Sequence, residues 1–94
     1  MPLFVISWTD KPGHLETRMA AREAHLAYAA AHKDQVKLGG PFLDAEGQMC
    51  GSMMIIEADD LADAHAFHDA DPYKRAGLFE TSEVRQFRVT LNAM

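Results

Sequence analysis

His25 and Asp71 are the side chains of this sequence best suited to acid–base chemistry. His25 lies in the middle of residues 14–35, which contain no Gly or Pro and much Ala, so we expect it on a long helix. Asp71 precedes Pro72, where a second helical pattern must stop. A carboxylate that accepts a hydrogen bond from one imidazole nitrogen leaves the other free to take a proton near neutral pH. If the fold brings these two side chains together, the sequence predicts a small acid–base enzyme.

Both residues also have a purely structural interpretation. Helical spacing puts His25 on a polar stripe at the border between core and solvent, where a histidine often hydrogen-bonds a neighbouring loop and does nothing more. An aspartate before proline commonly accepts hydrogen bonds from the backbone amides of the following turn. Taken alone, each residue favours the structural interpretation. The polar stripe consists of Arg18, Arg22, His25, Ala29 and His32.

Other patterns for catalysis are weak. His65 and His68 are spaced to share a metal ion and Asp69 is available beside them, but no nearby Cys or third His completes a site, which favours a solvated helix face. Cys50 is the only cysteine, which excludes an intramolecular disulfide and a thiolate zinc site and favours a buried, inert thiol. The sequence has no nucleophile elbow and no phosphate-binding glycine loop. We therefore expect neither a metal nor an organic cofactor.

Composition limits the class of protein. Ninety-four residues form one domain, residues 1–94, and 48% hydrophobic with 24% charged residues is typical of a globular chain. A net charge of −5 argues against nonspecific nucleic-acid binding, which needs a basic surface. The longest apolar run, residues 53–56, is too short to cross a membrane. The first residues read as a strand with no signal-peptide pattern, so we expect a cytoplasmic protein.

The order of predicted elements indicates the fold. Hydrophobic alternation, Gly and Pro positions and helical spacing predict strands and helices in the order β-α-β-β-α-β, the ferredoxin-like pattern. That pattern implies a four-stranded antiparallel sheet with two helices on one face. The first helix should bury the stripe formed by Leu15, Met19, Leu26 and Ala30, and the second the stripe formed by Leu61, Ala64 and Phe67. The predicted ranges are strand 3–8, helix 14–35, strand 36–43, turn 44–47, strand 48–57, helix from Asp59 or Asp60 to Ala70, a short helical turn from Pro72 to Gly77, and strand 83–91.

The second face of this sheet cannot be left entirely in water. The first and third strands are apolar on both sides, whereas a solvated face would alternate with polar residues. A second copy of the chain covering that face would bury it. We therefore expect a homodimer.

Several short motifs together resemble the YciI-like (YCII-related) family. They are Arg22-x-x-His25-Leu26, Gly39-Gly40-Pro41, Gly51-Ser52, Asp71-Pro72-Tyr73 and Gly77, and their order and spacing span nearly the whole chain. The resemblance implies a ferredoxin-like fold, a dimeric α/β-barrel assembly and an active site at a His–Asp pair. It places that pair on His25 and Asp71, and it implies that Gly40, before Pro41, and the Gly51-Ser52 pair line the same pocket.

The resulting prediction is a cofactor-independent acid–base enzyme of lyase or isomerase type, acting on a small, polar, cyclic or enolisable molecule. His25 would be the base and Asp71 would orient it. The expected substrate-binding residues are Arg22, Gly40, Pro41, Ser52 and Tyr73. Tyr73, Ser52 or the amides near Gly40 could stabilise a developing oxyanion. The alternative is a non-catalytic dimeric module, part of a stress or metabolic operon, that binds a small ligand or a partner.

Overall fold

A computed structural model describes residues 1–94, and its elements follow the predicted order with one short extra helix. The four strands form one antiparallel sheet in the order β2-β3-β1-β4, and the helices cover one face of it. The predicted ferredoxin-like βαββαβ architecture is therefore confirmed. The bounds are β1 Leu3–Asp10, α1 Leu15–Ala31, β2 Val36–Leu43, β3 Met49–Glu57, α2 Leu61–Asp69, α3 Pro72–Arg75 and β4 Phe79–Phe87.

The core lies between the two central strands and α2. Side chains of a strand alternate between the two faces of its sheet, so every second residue of β1 and β3 points toward the helices. Burial of one such side chain contributes about 1.5–3 kcal/mol, and these residues fix the centre of the sheet. The buried set includes Phe4, Ile6, Trp8, Met54, Ile56, Ala64 and Phe67.

The first helix is shorter than predicted and is rotated relative to the prediction. It ends at Ala31 rather than near Gln35. The apolar stripe expected to face the core is exposed, with Met19 50% accessible. The buried residues of α1 are instead two members of the polar stripe, Arg18 and His25. This inversion is stable because each of these polar side chains contacts a buried carboxylate, Asp10 for Arg18 and Asp71 for His25. Along the predicted stripe, Leu15, Met19, Leu26 and Ala30 are all exposed.

The last strand begins and ends earlier than predicted. It spans Phe79–Phe87, not residues 83–91. The antiparallel register pairs Leu3 at the start of β1 with Phe87, so the residues that follow have no β1 residue opposite them. Val89 and Leu91, which continue the apolar alternation, are exposed beyond the strand. The availability of a pairing partner, rather than the alternation, sets where the strand ends.

The segment after β3 contains two capped helices. Asp60 caps α2, because its side chain accepts a hydrogen bond from the Asp63 amide. Asp71 caps α3 in the same way, accepting from the Tyr73 amide, and Pro72 occupies the first turn. Of the apolar stripe predicted for α2, Ala64 and Phe67 are buried, whereas Leu61 is exposed.

The face of the sheet opposite the helices carries apolar side chains and no covering layer. Val5 of β1 and Met53 and Ile55 of β3 alternate with buried neighbours and therefore point to this face. On β2, Leu38 and Phe42 are exposed. Among the helices, none has both the length and the apolar character to cross a membrane.

Candidate active site

The fold brings His25 and Asp71 into direct contact. Nδ1 of His25 lies 2.9 Å from each carboxylate oxygen of Asp71. Asp71 is only 1% exposed, and one of its oxygens also accepts a hydrogen bond of 2.9 Å from the Tyr73 amide. The carboxylate therefore caps α3 and holds the imidazole at the same time. Asp71 thus makes both the turn-capping contact expected of an aspartate before proline and the contact with His25.

This contact sets the roles of the two ring nitrogens of His25. An ionised carboxylate only accepts hydrogen bonds, so we assign the proton to Nδ1, which donates to Asp71. Nε2 is then an acceptor, and it has no hydrogen-bond partner in the protein and is not sealed from solvent. The ring is held in place by stacking on Tyr73, with centroids 4.1 Å apart and planes 16° apart. The free nitrogen is available to a small molecule.

A cavity of about 160 Å³ lies beside this imidazole, between α1, the edge strand β2 and its neighbour β3. The predicted substrate-binding residues all line it, and so does His25. Asp71 does not line it, since it lies behind the imidazole ring. The predicted residues that line the cavity are Arg22, His25, Gly40, Pro41, Ser52 and Tyr73.

The sequence did not single out the ion pair at the cavity wall. Nε of Arg18 donates to one oxygen of Asp10 at 2.6 Å, and Nη2 donates to the other at 3.1 Å. Both residues are buried, with 2% and 8% exposure. Asp10 is the last in the series of alternate residues of β1 that face the helices. Arg18 lies seven residues before His25 on the polar stripe. Those two spacings are the sequence signals that could have identified the pair.

Ser52 completes this cluster and faces the cavity. Nη2 of Arg18 donates to its hydroxyl oxygen at 2.9 Å. Because that oxygen is the acceptor, the hydroxyl hydrogen is free to donate elsewhere. Ser52 lines the cavity, so this hydrogen is available to a bound molecule.

Tyr73 forms part of the cavity wall and its ring contacts Arg18. The guanidinium carbon of Arg18 lies 4.9 Å from the centre of its ring, within the range of a cation–π contact. Burial raises the pKa of the Tyr73 hydroxyl, while the charges of Arg18 and Arg22 act in the opposite direction. The phenol is therefore protonated at neutral pH and able to donate a hydrogen bond. Its hydroxyl has no such bond within the protein.

Two glycines of the family-like motifs have different roles here. A Cβ at Gly51 would collide with the carbonyl oxygen of Trp8, so glycine lets β3 approach β1 and sets the position of the neighbouring Ser52. Gly51 itself does not line the cavity, although the resemblance implied that it would. Gly40 does line it, together with Gly39, and a Cβ at position 40 would meet no atom within 4 Å.

His68 is buried, contrary to the prediction of a solvated helix face. Its ring stacks on Trp8 and on Phe79, with centroid separations of 5.6 and 4.8 Å. Neither ring nitrogen has a hydrogen-bond partner, and burial lowers the pKa of the imidazole. His65 is exposed, so the two do not present a shared pair of ligands. No cluster of three or more metal-ligating side chains occurs in the structure.

Comparisons of the sequence with known proteins agree with this architecture. The profile of the YCII-related domain matches residues 2–88. Protein YciI of Escherichia coli O6:H1 is 36% identical, with the alignment covering 92% of this chain and 96% of that protein. An uncharacterised protein of Haemophilus influenzae is 31% identical over 90% of this chain and 95% of its own length.

Solved structures give the same result. The 5-chloro-2-hydroxyhydroquinone dehydrochlorinase TftG of Burkholderia phenoliruptrix AC1100, in complex with 2,5-dihydroxybenzoquinone, superposes with a TM-score of 0.86 at 37% identity, covering 92% of this chain and 93% of TftG. A NIPSNAP family protein of Agrobacterium tumefaciens shares the fold at a TM-score of 0.58 and 19% identity, covering 95% of this chain and 92% of that one. The family match, the YciI relative and the TftG superposition all extend over nearly the whole chain, and the chain belongs to the YCII-related, or YciI-like, family.

Proposed function

We propose that this protein is a cofactor-independent acid–base enzyme that acts on a small, polar, cyclic or enolisable molecule. The observation that carries the proposal is the free Nε2 of His25 at the wall of a cavity, with Nδ1 bonded to the buried Asp71. A closed, purely structural pair would have no cavity beside it. TftG, a relative over most of the chain, is named as a dehydrochlorinase and is bound to a small ring compound, which supports the same class of substrate.

The proposed reaction begins with proton transfer from the substrate to Nε2 of His25. Asp71 stabilises the imidazolium that forms, and it keeps the ring in the tautomer that presents Nε2 to the substrate. The electron pair left on the substrate either expels a leaving group with its charge, as in a lyase, or takes the proton back at another atom, as in an isomerase. Neither route needs a metal or an organic cofactor.

The developing negative charge on the substrate would be stabilised by groups already free to donate. The hydroxyl of Ser52 accepts from Arg18 and has its own hydrogen available. The hydroxyl of Tyr73 is protonated and has no partner in the protein. Donors fixed in position before the reaction stabilise an oxyanion without a cost of reorganisation. Gly40 and Pro41 also line the cavity and, in this proposal, form part of the surface that matches the shape of the substrate.

Substitution of His25 tests the base directly. Candidate substrates are 5-chloro-2-hydroxyhydroquinone, assayed by chloride release, and enolisable ring compounds, assayed by deuterium uptake from heavy water. His25→Ala and His25→Gln should each lower turnover by about 10²–10⁴-fold, the usual contribution of a general base. His65→Ala, which removes an exposed histidine from another helix, should leave turnover unchanged.

The Gln variant separates catalysis from structure. Its side-chain amide can still donate to Asp71 but cannot act as a base at neutral pH, so the thermal melt should stay close to that of the native chain. Native turnover in His25→Gln would reject the catalytic role. Lost stability in both variants, with no turnover of any candidate by the native chain, would favour the non-catalytic ligand-binding module instead.

We also propose that the protein works as a cytoplasmic homodimer joined through the uncovered face of the sheet. Phe42, Leu38 and the outward residues of β1 and β3 form that face. Sedimentation should give about twice the chain mass of 10.4 kDa. Phe42→Glu should produce monomers, because it places a charge in the proposed interface, whereas Met19→Glu on the outer side of α1 should not. A native chain that sediments as a monomer would reject the dimer.

A further inference from the structure

The side chains that line the cavity include cations and no anion, although the protein as a whole is acidic. Two of the lining side chains are arginines, Arg18 and Arg22, and none is an aspartate or glutamate. The whole chain carries a net charge of −5. A concave site of opposite sign to the rest of the surface selects and attracts ligands of the complementary charge.

The two arginines are not equivalent. Asp10 binds the Arg18 guanidinium at two points, so the charge of Arg18 is already compensated inside the protein. Arg22, one helical turn further along α1, is exposed and forms no ion pair and no side-chain hydrogen bond. Arg22 lines the cavity, and its positive charge acts to lower the pKa of the Tyr73 hydroxyl. Arg22 is therefore the uncompensated cation of this wall.

When His25 is neutral, the charge of Asp71 behind the cavity has no cationic partner in an ion pair. It is 1% exposed and lies behind the imidazole ring, where Nδ1 of His25 and the Tyr73 amide bond its oxygens. A molecule in the cavity would meet Nε2 of His25, on the other side of the ring from Asp71. Arg22 lines the cavity, whereas Asp71 does not, so the attraction from Arg22 acts at shorter range.

We propose that the cavity takes its substrate as a small organic anion and that Arg22 is the charge partner that holds the ionised oxygen. The planar guanidinium offers paired N–H donors that match a carboxylate, and it also binds an enolate or a phenolate. The remainder of the molecule would then lie against Ser52 and Nε2 of His25. The role of His25 in this arrangement rests on the proposed function, whereas the binding of the anion does not.

Benzoate and benzamide test this proposal, because they have nearly the same shape and differ in charge. Titration of each into the full native chain, followed by the NMR signals of the Arg22 side chain and the Ser52 amide, gives two dissociation constants. Benzoate should bind more tightly. Arg22→Gln should weaken benzoate binding roughly 10- to 100-fold, the range of a hydrogen bond to a charged group, and should leave benzamide unchanged. Arg22→Lys should retain part of the preference.

Lys33→Gln is the matched control. It removes one positive charge from an exposed position after the end of the same helix and away from the cavity, so it should not change either constant. Equal binding of the two probes by the native chain, no binding of benzoate at millimolar concentration, or unchanged benzoate binding in Arg22→Gln would each overturn the proposal. If Arg22→Gln loses benzoate while the native chain turns over no candidate substrate, the anion site stands and the proposed function fails.

Discussion

Trp8 lies between two buried histidines whose surroundings differ in kind. The ring of His25 meets the indole edge-on, with centroids 6.0 Å apart, and the ring of His68 stacks on it at 5.6 Å. His25 is bonded to Asp71 and faces the cavity. His68 has no hydrogen-bond partner for either nitrogen. The same residue type, on two helices that pack on the same tryptophan, thus occupies two different environments.

The difference shows how this small protein handles polar groups in its interior. On the cavity wall each buried polar side chain is paired on the protein side and left open on the cavity side: His25 with Asp71, and Arg18 with Asp10. In the aromatic layer formed by Trp8, His68 and Phe79, His68 has no such pairing. Burial lowers the pKa of its imidazole, so it packs there as a neutral ring. Pairing therefore distinguishes the site from the core better than burial does.

Removal of the carboxylate that pairs with Arg18 should have the largest effect on stability of the changes that test this contrast. Asp10→Ala leaves a guanidinium with 2% exposure and no counter-charge. Loss of one partner of a buried ion pair costs about 3–5 kcal/mol. The free energy of unfolding, measured by urea titration, should fall by an amount in this range.

Asp69→Ala is the control for that experiment. Asp69 pairs with Lys74 at 3.2 Å, but both side chains are largely exposed, so the loss should stay below about 1 kcal/mol. A second variant, Asp10→Leu with Arg18→Met, removes both charges and should recover much of the stability. Equal losses of unfolding free energy for Asp10→Ala and Asp69→Ala would show that the buried ion pair contributes no more to stability than the exposed one. The contrast drawn between paired and unpaired buried groups would then be wrong.

The sequence was sufficient for the sheet and its connections because their causes are local. Short runs of consecutive apolar residues identified β1 and β3, and the turn at residues 44–47 is held by Asp44, whose side chain accepts from the amides of Glu46 and Gln48. The end of β4 was not predictable in this way. Val89 and Leu91 continue the alternation, but a strand needs a partner, and β1 begins at Leu3 opposite Phe87.

The orientation of α1 depended on residues far away in the chain. The apolar stripe of this helix, read alone, should turn inward. It does not, because Arg18 and His25 gain partners in Asp10 and Asp71, which lie on other elements. The sequence could propose the His25–Asp71 pair through the family resemblance, whereas the Arg18–Asp10 pair went unnoticed. His68 was misjudged for the same reason, since only the packed fold places it against both Trp8 and Phe79.

A smaller effect should come from protonation of His68. Burial lowers the pKa of His68 from the ordinary value of 6.5. The nearby charges of Asp71 and Asp69 act to raise this pKa, and those of Lys74 and His65 act to lower it further. As the pH falls below about 6.5, the unfolded chain takes up a proton that the folded chain does not. The free energy of unfolding should therefore decrease in this direction, by at most about 1.4 kcal/mol per pH unit for one proton. Above pH 6.5 this contribution to stability is fully present.

The His68→Leu variant isolates that contribution from those of the other four histidines. Leucine has a similar volume and no polar atoms, so it should keep the packing against Trp8 and Phe79 while removing two buried nitrogens that lack partners. Urea unfolding of both proteins at several pH values, from neutral down to about pH 5 where carboxylates begin to titrate, gives the difference. The native chain should lose more stability than the variant over this interval. Equal slopes would mean that His68 is protonated as easily in the folded protein as in the unfolded one, and the aromatic layer would then not differ from the cavity wall as described.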